Sequence, residues 1–496
     1  MKFITLFAIL FPIIIGIGMM AVRPQQKKTR NTVSIVCALL TSAAVFATIL
    51  LTLKNGADAT RIVLLRFSEA LKFELRIDGP SMIFGGIISV LWPITVIYAF
   101  SYMDHEENLN RFFGFFLVSY GVVAGIAFSA NFFTLYFFYE LMTLATLPLV
   151  MHEMNGKARS AGIKYVVYSM AGAALIFIAL VFFINYGKTL DFVPGGILDM
   201  GKIAGHEGVL RFIFVLGFFG FGVKAGIFPL HDWLPSASVA PTPVTALLHA
   251  VAVVKSGAFG VLRLIYYGFG PSFLLGSGAQ AVAVCAASAT IVFGSIKALR
   301  TGHLKRRLAY STVANLSYIL LAFAVMTPES LTGGLLHMMM HAVIKISLFF
   351  CAGAILHHSK LEYIDDMEGL GRKMPITCAV FTFMSLALIG IPPLGGFISK
   401  WTIGTASSML GTWYGVVGAC ALIVSAIMSM LYMATVIVRF YLPLKDAEKM
   451  TDNCREADKK MTVPLIVLVV LLIVLSACSR NLIHFIQPFA ALMGGV

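Results

Sequence analysis

The chain of 496 residues is 59% hydrophobic and only 12% charged, about half the charged fraction of a soluble domain. That balance excludes an ordinary soluble enzyme and identifies an integral membrane protein. The formal net charge is +14, but its placement follows membrane topology and gives no case for nucleic acid as a partner.

Apolar runs of roughly 20 residues recur from end to end, which favours helices over a barrel, whose strands would alternate every second residue. In chain order the predicted spans are 2–22, 32–53, 80–103, 111–129, 131–151, 161–186, 209–231, 242–268, 272–299, 308–326, 331–357, 374–409, 412–440 and 462–488. The first exceeds a signal-peptide h-region and has no small-residue cleavage site before RPQQKKTR, so it reads as a retained span.

The connections at 23–31, 104–111, 152–164, 232–241, 297–307, 358–373 and 439–460 hold 22 of the 37 Lys and Arg residues, the other connections and ends hold 11, and four lysines lie inside spans. Basic connections mark the cytoplasmic side. The expected topology is therefore an all-α protein with about fourteen transmembrane helices and both termini outside, in a prokaryotic cytoplasmic membrane. The longer outer connections, 54–79 and 187–208, offset their bases with Asp58, Glu69, Glu74, Asp78, Asp191, Asp199 and Glu207. The longest polar stretch, 440–461, is expected as a loop or short surface helix. No linker divides the chain, so 1–496 reads as a single polytopic domain. Seven cysteines stand singly without a CxxC pair, which argues against an iron–sulfur, zinc or disulfide framework.

Five ionisable residues interrupt the apolar runs: Glu140, Lys224, Lys255, Lys345 and Lys400. A charge at the helix centre costs about 2.5–3.5 kcal/mol even on lenient insertion scales, and intramembrane charges commonly mark ion paths. Lys224 precedes Pro229, and Lys400 follows Pro392 and Pro393, so two spans are expected to break beside a lysine. Broken helices are tolerated where they border a cavity, and they frame ion sites at mid-membrane. The plainer alternative is a pair of kinked helices with snorkelling lysines.

Glu140 is the only charge between Arg111 and Glu153 and needs a partner, for which Lys224 is the natural counter-ion. A static packing pair is the alternative. His337, His341 and Lys345 are spaced i, i+4, i+8 and share one helix face. HxxxH can chelate a metal, but Lys345 would repel a cation, so a proton relay fits better and no metal is expected. His249 and Lys255 lie six residues apart on different sides of their span. Lys255 is the stronger candidate, and His249 is equally readable as a core histidine. Lysine suits proton switching because its charge responds to burial and to a neighbouring carboxylate.

The segments HDWLPSASVAPTPVTALLHAVAVVKSGAFG, FFTLYFFYELMTLATLPLV, LKRRLAYSTVANLSYI, HMMMHAVIKISLFFCAGAI and GIPPLGGFISKW together resemble the antiporter-like membrane subunits of the complex I superfamily. That superfamily includes NADH:quinone oxidoreductases, membrane-bound hydrogenases, formate hydrogenlyases and Mrp-type Na⁺/H⁺ antiporters. The resemblance covers nearly the whole chain. It implies two inverted five-helix repeats, about 111–268 and 272–440, each with a broken helix. It also implies that Glu140 and Lys224 pair in a first half-channel, with Lys255 as the linking lysine. His337, His341 and Lys345 would form the central helix, and Lys400 would end the second half-channel. The sequence departs from the family where Ser236, Ala237 and Ser238 follow WLP in place of an acid or histidine. It carries Lys400 where one branch has glutamate. No counterpart of the long lateral helix of the distal subunit is expected after the fourteenth span.

The function implied is proton translocation within a larger membrane complex, with H⁺ and Na⁺ as candidate ions. Partners would be other membrane subunits, further antiporter-like paralogues and a redox arm. No flavin, nucleotide or cluster motif is present, so redox cofactors belong to partner subunits and no catalytic group is assigned here. The competing readings are a subunit of an Mrp-type antiporter and, in a different class, a stand-alone secondary transporter.

Overall fold

The computed structural model describes residues 2–68, 71–442 and 454–494. Glu69 and residues 443–453, half of the polar stretch expected at 440–461, lie outside the described residues.

The described residues form twenty α-helices. The first eight are α1 (Lys2–Val22), α2 (Lys27–Asn55), α3 (Gly79–Tyr102), α4 (Leu109–Ala127), α5 (Phe132–Val150), α6 (Gly156–Tyr186), the one-turn α7 (Met200–Ile203) and α8 (Glu207–Lys224). Then follow α9 (Trp233–Ser236), α10 (Thr242–Ala250), α11 (Val253–Arg263), α12 (Pro271–Leu274), α13 (Gly278–Arg300) and α14 (Leu304–Val325). The last six are α15 (Pro328–Ser359), α16 (Pro375–Ile389), α17 (Gly395–Ser408), α18 (Trp413–Tyr441), α19 (Lys459–Ala477) and α20 (Ser479–Gly494).

Local chemistry sets many of the starts. Asp78, Asn131, Asn155, Ser277, Thr327 and Thr412 each accept a hydrogen bond from a backbone amide in the first turn of the helix that follows, satisfying donors the helix leaves unpaired. Met326, in the left-handed region, and the capping Thr327 turn the chain from α14 directly into α15.

Twelve helical segments are long and apolar enough to cross a membrane, with Thr242–Phe269 taken as one. The interrupted elements α8–α9 and α16–α17 are two further candidates, so the number of crossings is about fourteen. Three segments form the centre of the bundle. Nearly every residue of Thr242–Phe269, Leu304–Val325 and Pro328–Ser359 is buried, against about a third of α1 and α19. Contacts tie the described parts of the basic connections to one another: Asn110 to the Pro24 carbonyl, Arg111 to the His152 carbonyl, Lys164 to Asp232 and Leu304 to the Glu362 carbonyl. The turns at 54–78, 187–206 and 264–277 meet in the same way, through Arg76 on the Phe192 carbonyl and Gly195 on the Tyr266 carbonyl.

Four expectations need correction. The span 242–268 is not continuous. Val251 and Ala252 leave helical geometry (φ −131°, ψ −56°; φ −81°, ψ −83°) and separate α10 from α11, and residues Leu264–Phe269 close it as a π-helical turn. The span 462–488 is two helices, α19 and α20, divided at Cys478. The helix expected through 231 ends at Lys224. Finally, the outer connection 54–79 contains an antiparallel hairpin, β1 (Ile62–Arg66) with β2 (Lys72–Leu75), so the chain is not wholly helical. Ion pairs clasp this hairpin to the 187–199 connection. Glu74, fully buried, takes Arg61 and Lys72, and Lys72 also reaches Asp191 at 2.7 Å. Burial opposes ionisation of Glu74, but the two cations prevail and hold its carboxyl below the ordinary glutamate range.

Candidate functional site

Lys255, Lys345 and the three histidines fall on the central segments, while Glu140, Lys224 and Lys400 lie on α5, α8 and α17, which pack against them. Lys224 is the last residue of α8 and is fully buried. Its Nζ donates to the Tyr139 carbonyl on α5 and lies 3.5 Å from the Tyr139 ring centroid. Glu140, next along α5, is within electrostatic reach, yet its Oε1 is buried without a hydrogen-bond partner. The expected Glu140–Lys224 pair is therefore adjacent but not closed as a salt bridge. Glu140 also sits between the exposed Phe137 and Leu144, so it lies near the outer surface of the chain.

Helix α11 packs directly against the end of α8. A Cβ on Gly257 would stand 2.6 Å from the Ala225 nitrogen and 2.9 Å from the Lys224 carbonyl carbon, so only glycine permits this approach. Lys255, two residues earlier on the same helix, is turned roughly 160° from that contact, and its ammonium faces α15 instead. The break at Val251–Ala252 separates it from His249, whose two ring nitrogens both lack a partner among the described residues. His249 stacks near Phe349 with ring centroids 4.9 Å apart.

From Lys255 onward the side chains lie close together, through hydrogen bonds at two steps and ring stacking at the step between them. Lys255 Nζ lies 2.8 Å from His341 Nδ1 on α15. His341 and His337 are consecutive on that helix, ring centroids 5.8 Å apart. His337 Nδ1 lies 2.9 Å from Ser399 Oγ on α17. Ser399 precedes Lys400, whose ammonium donates to the Leu388 and Ile389 carbonyls at 2.6 and 3.3 Å. These are carbonyls released where α16 ends before Pro392 and Pro393. The Tyr318 ring lies between the two ends of this step, 5.4 Å from His337 and 5.1 Å from Lys400 Nζ. His337 Nε2 and His341 Nε2 remain unpartnered, and buried polar atoms of this kind are where water enters an interior.

Lys345 leaves the row. Eight residues along a helix rotate a side chain by about 80°, and Lys345 accordingly turns to α14. There it donates to Ser311 Oγ at 2.7 Å and to the Leu308 carbonyl at 3.2 Å. Ser311 Oγ in turn lies 2.8 Å from Tyr432 Oη.

Some participants carry no signal of their own in the sequence: Tyr139, Tyr318, Ser399, Ser311 and Tyr432. Tyr139 and Ser399 adjoin charged positions, and Tyr318 lies in the LKRRLAYSTVANLSYI segment, so neighbourhood was the available clue. Arg263 is a sixth intramembrane charge, which the sequence alone places with the outer connections. It is fully buried, and its Nη2 donates to Asp78 Oδ1 at 2.8 Å and to Ser81 Oγ at 2.9 Å, tying α11 to the start of α3. Three aromatic rings, Phe192, Phe259 and Tyr267, surround its guanidinium at 4.4–4.8 Å.

A helical bundle of about fourteen crossings, with two helices interrupted beside a lysine and buried lysines and histidines inside it, is the architecture of a polytopic membrane protein. Residues 129–429 match the family described as "NADH:quinone oxidoreductase/Mrp antiporter, TM", and residues 68–113 match "NADH-Ubiquinone oxidoreductase (complex I), chain 5 N-terminus". The chain belongs to this NADH:quinone oxidoreductase/Mrp antiporter membrane family.

Among curated relatives, it is 31% identical over 410 residues to NADH-quinone oxidoreductase subunit N of Desulforudis audaxviator, covering 80% of each chain. It is 31% identical over 452 residues to hydrogenase-4 component B of Escherichia coli, covering 86% of this chain and 66% of that one. It is also 32% identical over 335 residues to the A/B component of a probable K⁺/H⁺ antiporter of Rhizobium meliloti, covering 66% of this chain and 32% of that much longer one. The fold is shared with solved chains of the Mrp complex from Dietzia (TM-score 0.85, 20% identity, 99% and 97% covered) and of respiratory complex I from Thermus thermophilus (TM-score 0.81, 20% identity, 99% of both covered).

Proposed function

We propose that the chain is a proton-translocating, antiporter-like subunit of a multi-subunit, complex I-related respiratory or hydrogenase-type membrane complex. The observation that supports this reading is the buried row Lys255–His341–His337–Ser399, hydrogen-bonded at its two ends and stacked between the histidines, with Lys400 next along the chain. Each member gains or loses a proton, or passes one through a hydroxyl, without a cofactor.

The switch is Glu140 with Lys224. A charge change in a neighbouring subunit reaches Glu140 at the chain surface and closes or opens the pair. When the pair opens, Lys224 loses its anion and its proton moves toward Lys255. From there it passes along the histidines to Lys400 for release. The two inverted repeats, 111–268 and 272–440, would place one broken helix beside each lysine. Positive-inside bias orients the basic face toward the cytoplasm, which leaves both termini outside a prokaryotic cytoplasmic membrane. The driving reaction and its cofactors reside in partner subunits.

In the intact complex reconstituted into liposomes, Glu140→Ala and Lys224→Ala each reduce proton pumping to background while subunit composition stays unchanged. Normal pumping in both variants overturns the reading. An Mrp-type antiporter subunit is the second reading, supported by the antiporter relatives and the Mrp fold likeness. Co-purified hydrogenase or iron–sulfur subunits favour the first reading. Co-purification of small membrane subunits only, with Na⁺-dependent proton movement, favours the second.

A further inference from the structure

On the basic face, the turn from α1 to α2 and the start of α4 enclose a cavity of about 560 Å³, lined by Arg23, Arg30, Arg111, Glu106, Asn110 and Met20. Three arginines meet one carboxylate there, and none of the three forms an ion pair among the described residues. The nearby Asp104 is already engaged by Lys27.

Arg30 is the strongest sign of a missing anion. It is only 9% exposed, its guanidinium lies 5.8 Å over the Phe113 ring, and its Nε has no hydrogen-bond partner. Burying a guanidinium without an anion is costly. Arg111 spends Nη2 on the His152 carbonyl at 2.8 Å, and its Nε is also unpartnered. Helix α4 starts at the same wall. Asn108 stands before it in the left-handed region (φ 54°), and no side chain caps the helix, so its first amides are free to meet an anion. The Asn110 amide donates to the Pro24 carbonyl at 3.2 Å, which leaves its Oδ1 as a buried acceptor without a donor.

The surroundings identify the anion. Toward the membrane, α1 and α2 expose Ile17, Val22, Val33 and Val36, an apolar surface suited to acyl chains. Planar guanidinium groups favour phosphate over a point contact. An unpartnered amide oxygen and one carboxylate in the same cavity call for hydroxyl donors on the ligand.

We propose that this cavity binds the headgroup of an anionic glycerophospholipid of the phosphatidylglycerol type. The phosphate lies among Arg30, Arg111 and the first amides of α4, and the headgroup hydroxyls donate to Asn110 Oδ1 and Glu106. Arg23 closes the entrance from the surface.

The test uses the intact complex in phosphatidylcholine nanodiscs titrated with phosphatidylglycerol, with lipid carried by this subunit counted by native mass spectrometry. The wild type holds one phosphatidylglycerol per chain. Arg30→Gln and Arg23→Gln each weaken retention about fivefold, the weight of one basic residue near an anionic surface. Lys28→Gln, an exposed lysine of the same turn outside the cavity, leaves it unchanged. Arg23 is exposed, so its variant keeps the test decisive if Arg30→Gln does not fold. Equal loss in Lys28→Gln, or no loss in either arginine variant, overturns the site. Displacement by excess inorganic phosphate assigns it to free phosphate and overturns the lipid. Equal retention of phosphatidic acid, which lacks the headgroup hydroxyls, overturns the role of Asn110 and Glu106.

Discussion

The two ends of the buried charge row are held in different ways. At α5 and α8, Lys224 leans on a backbone carbonyl and an aromatic ring, while Glu140 stands beside it with an unpartnered oxygen. At α11, α15 and α17, side chains from separate helices meet at hydrogen-bond distance, and the sequence neighbours Ser399 and Lys400 finish the row. The first arrangement can exist in two states, paired and unpaired, because small movements of long side chains decide between them. The second is fixed by packing of three helices and has no comparable slack. An open pair is what a switch needs, and closely spaced proton carriers are what a conductor needs. Under the proposed function, sensing would fall to the first region and conduction to the second.

That comparison can be broken most directly at the joint between them. His341→Ala removes the partner of Lys255 and is expected to lower proton flux by about 10²-fold, the lower end of what a positioned proton carrier contributes. Because Lys224 and Glu140 are untouched, coupling signals that report only on the first region should persist. If flux through His341→Ala matches wild type, the row is not the path.

A smaller effect is expected at the far end. Ser399→Ala deletes the hydroxyl that meets His337 Nδ1 and donates to the Gly395 and Gly396 carbonyls, worth about 1 kcal/mol or roughly fivefold. Ser311→Ala, on the Lys345 branch, should slow flux less than Ser399→Ala. The reverse order would move the path onto α14 and Tyr432.

The smallest effect concerns the outer face. Glu74 has its carboxyl held below the ordinary glutamate range by Arg61 and Lys72 against the opposing effect of burial. A depressed carboxylate contributes stability that is present above its unfolded pKa and is lost as pH falls through the folded value. The clasp between the hairpin and the 187–199 connection should therefore loosen only as pH drops below the ordinary glutamate range. Limited proteolysis of the 62–75 hairpin would rise there in the wild type, and would already be raised at neutral pH in Glu74→Gln. Transport at neutral pH should hardly change in that variant, since the hairpin lies away from the row.

Much of the site was legible because an ionisable residue in an apolar run announces itself by its cost. Glu140, Lys224, Lys255, Lys345 and Lys400 needed no structure to be noticed, and the i, i+4 spacing of His337 and His341 placed both on one face of α15. Arg263 escaped notice because it stands near a span end, where a basic residue is ordinary. Helix breaks were legible only in part. Pro229 and Pro392–Pro393 do mark interruptions, yet Pro12, Pro93 and Pro148 sit inside unbroken helices. The break at Val251–Ala252 has neither proline nor glycine, so nothing in HAVAVVK reveals it. The polar run SRN after Cys478 lies where α19 gives way to α20, yet the apolar residues on both sides read as one span.

By itself the sequence determined the class, the approximate crossings, the basic face and the identity of the costly residues, because each follows from local hydropathy and charge. Only tertiary structure decided which of those residues meet. Lys255 reaches His341 and His337 reaches Ser399 across helices, 86 and 62 residues apart in the chain. Lys345 is turned away from the row although it sits on the same helix. Partners of that kind depend on helix rotation and on a glycine contact such as Gly257 against α8, which act over distances that spacing along a chain does not encode.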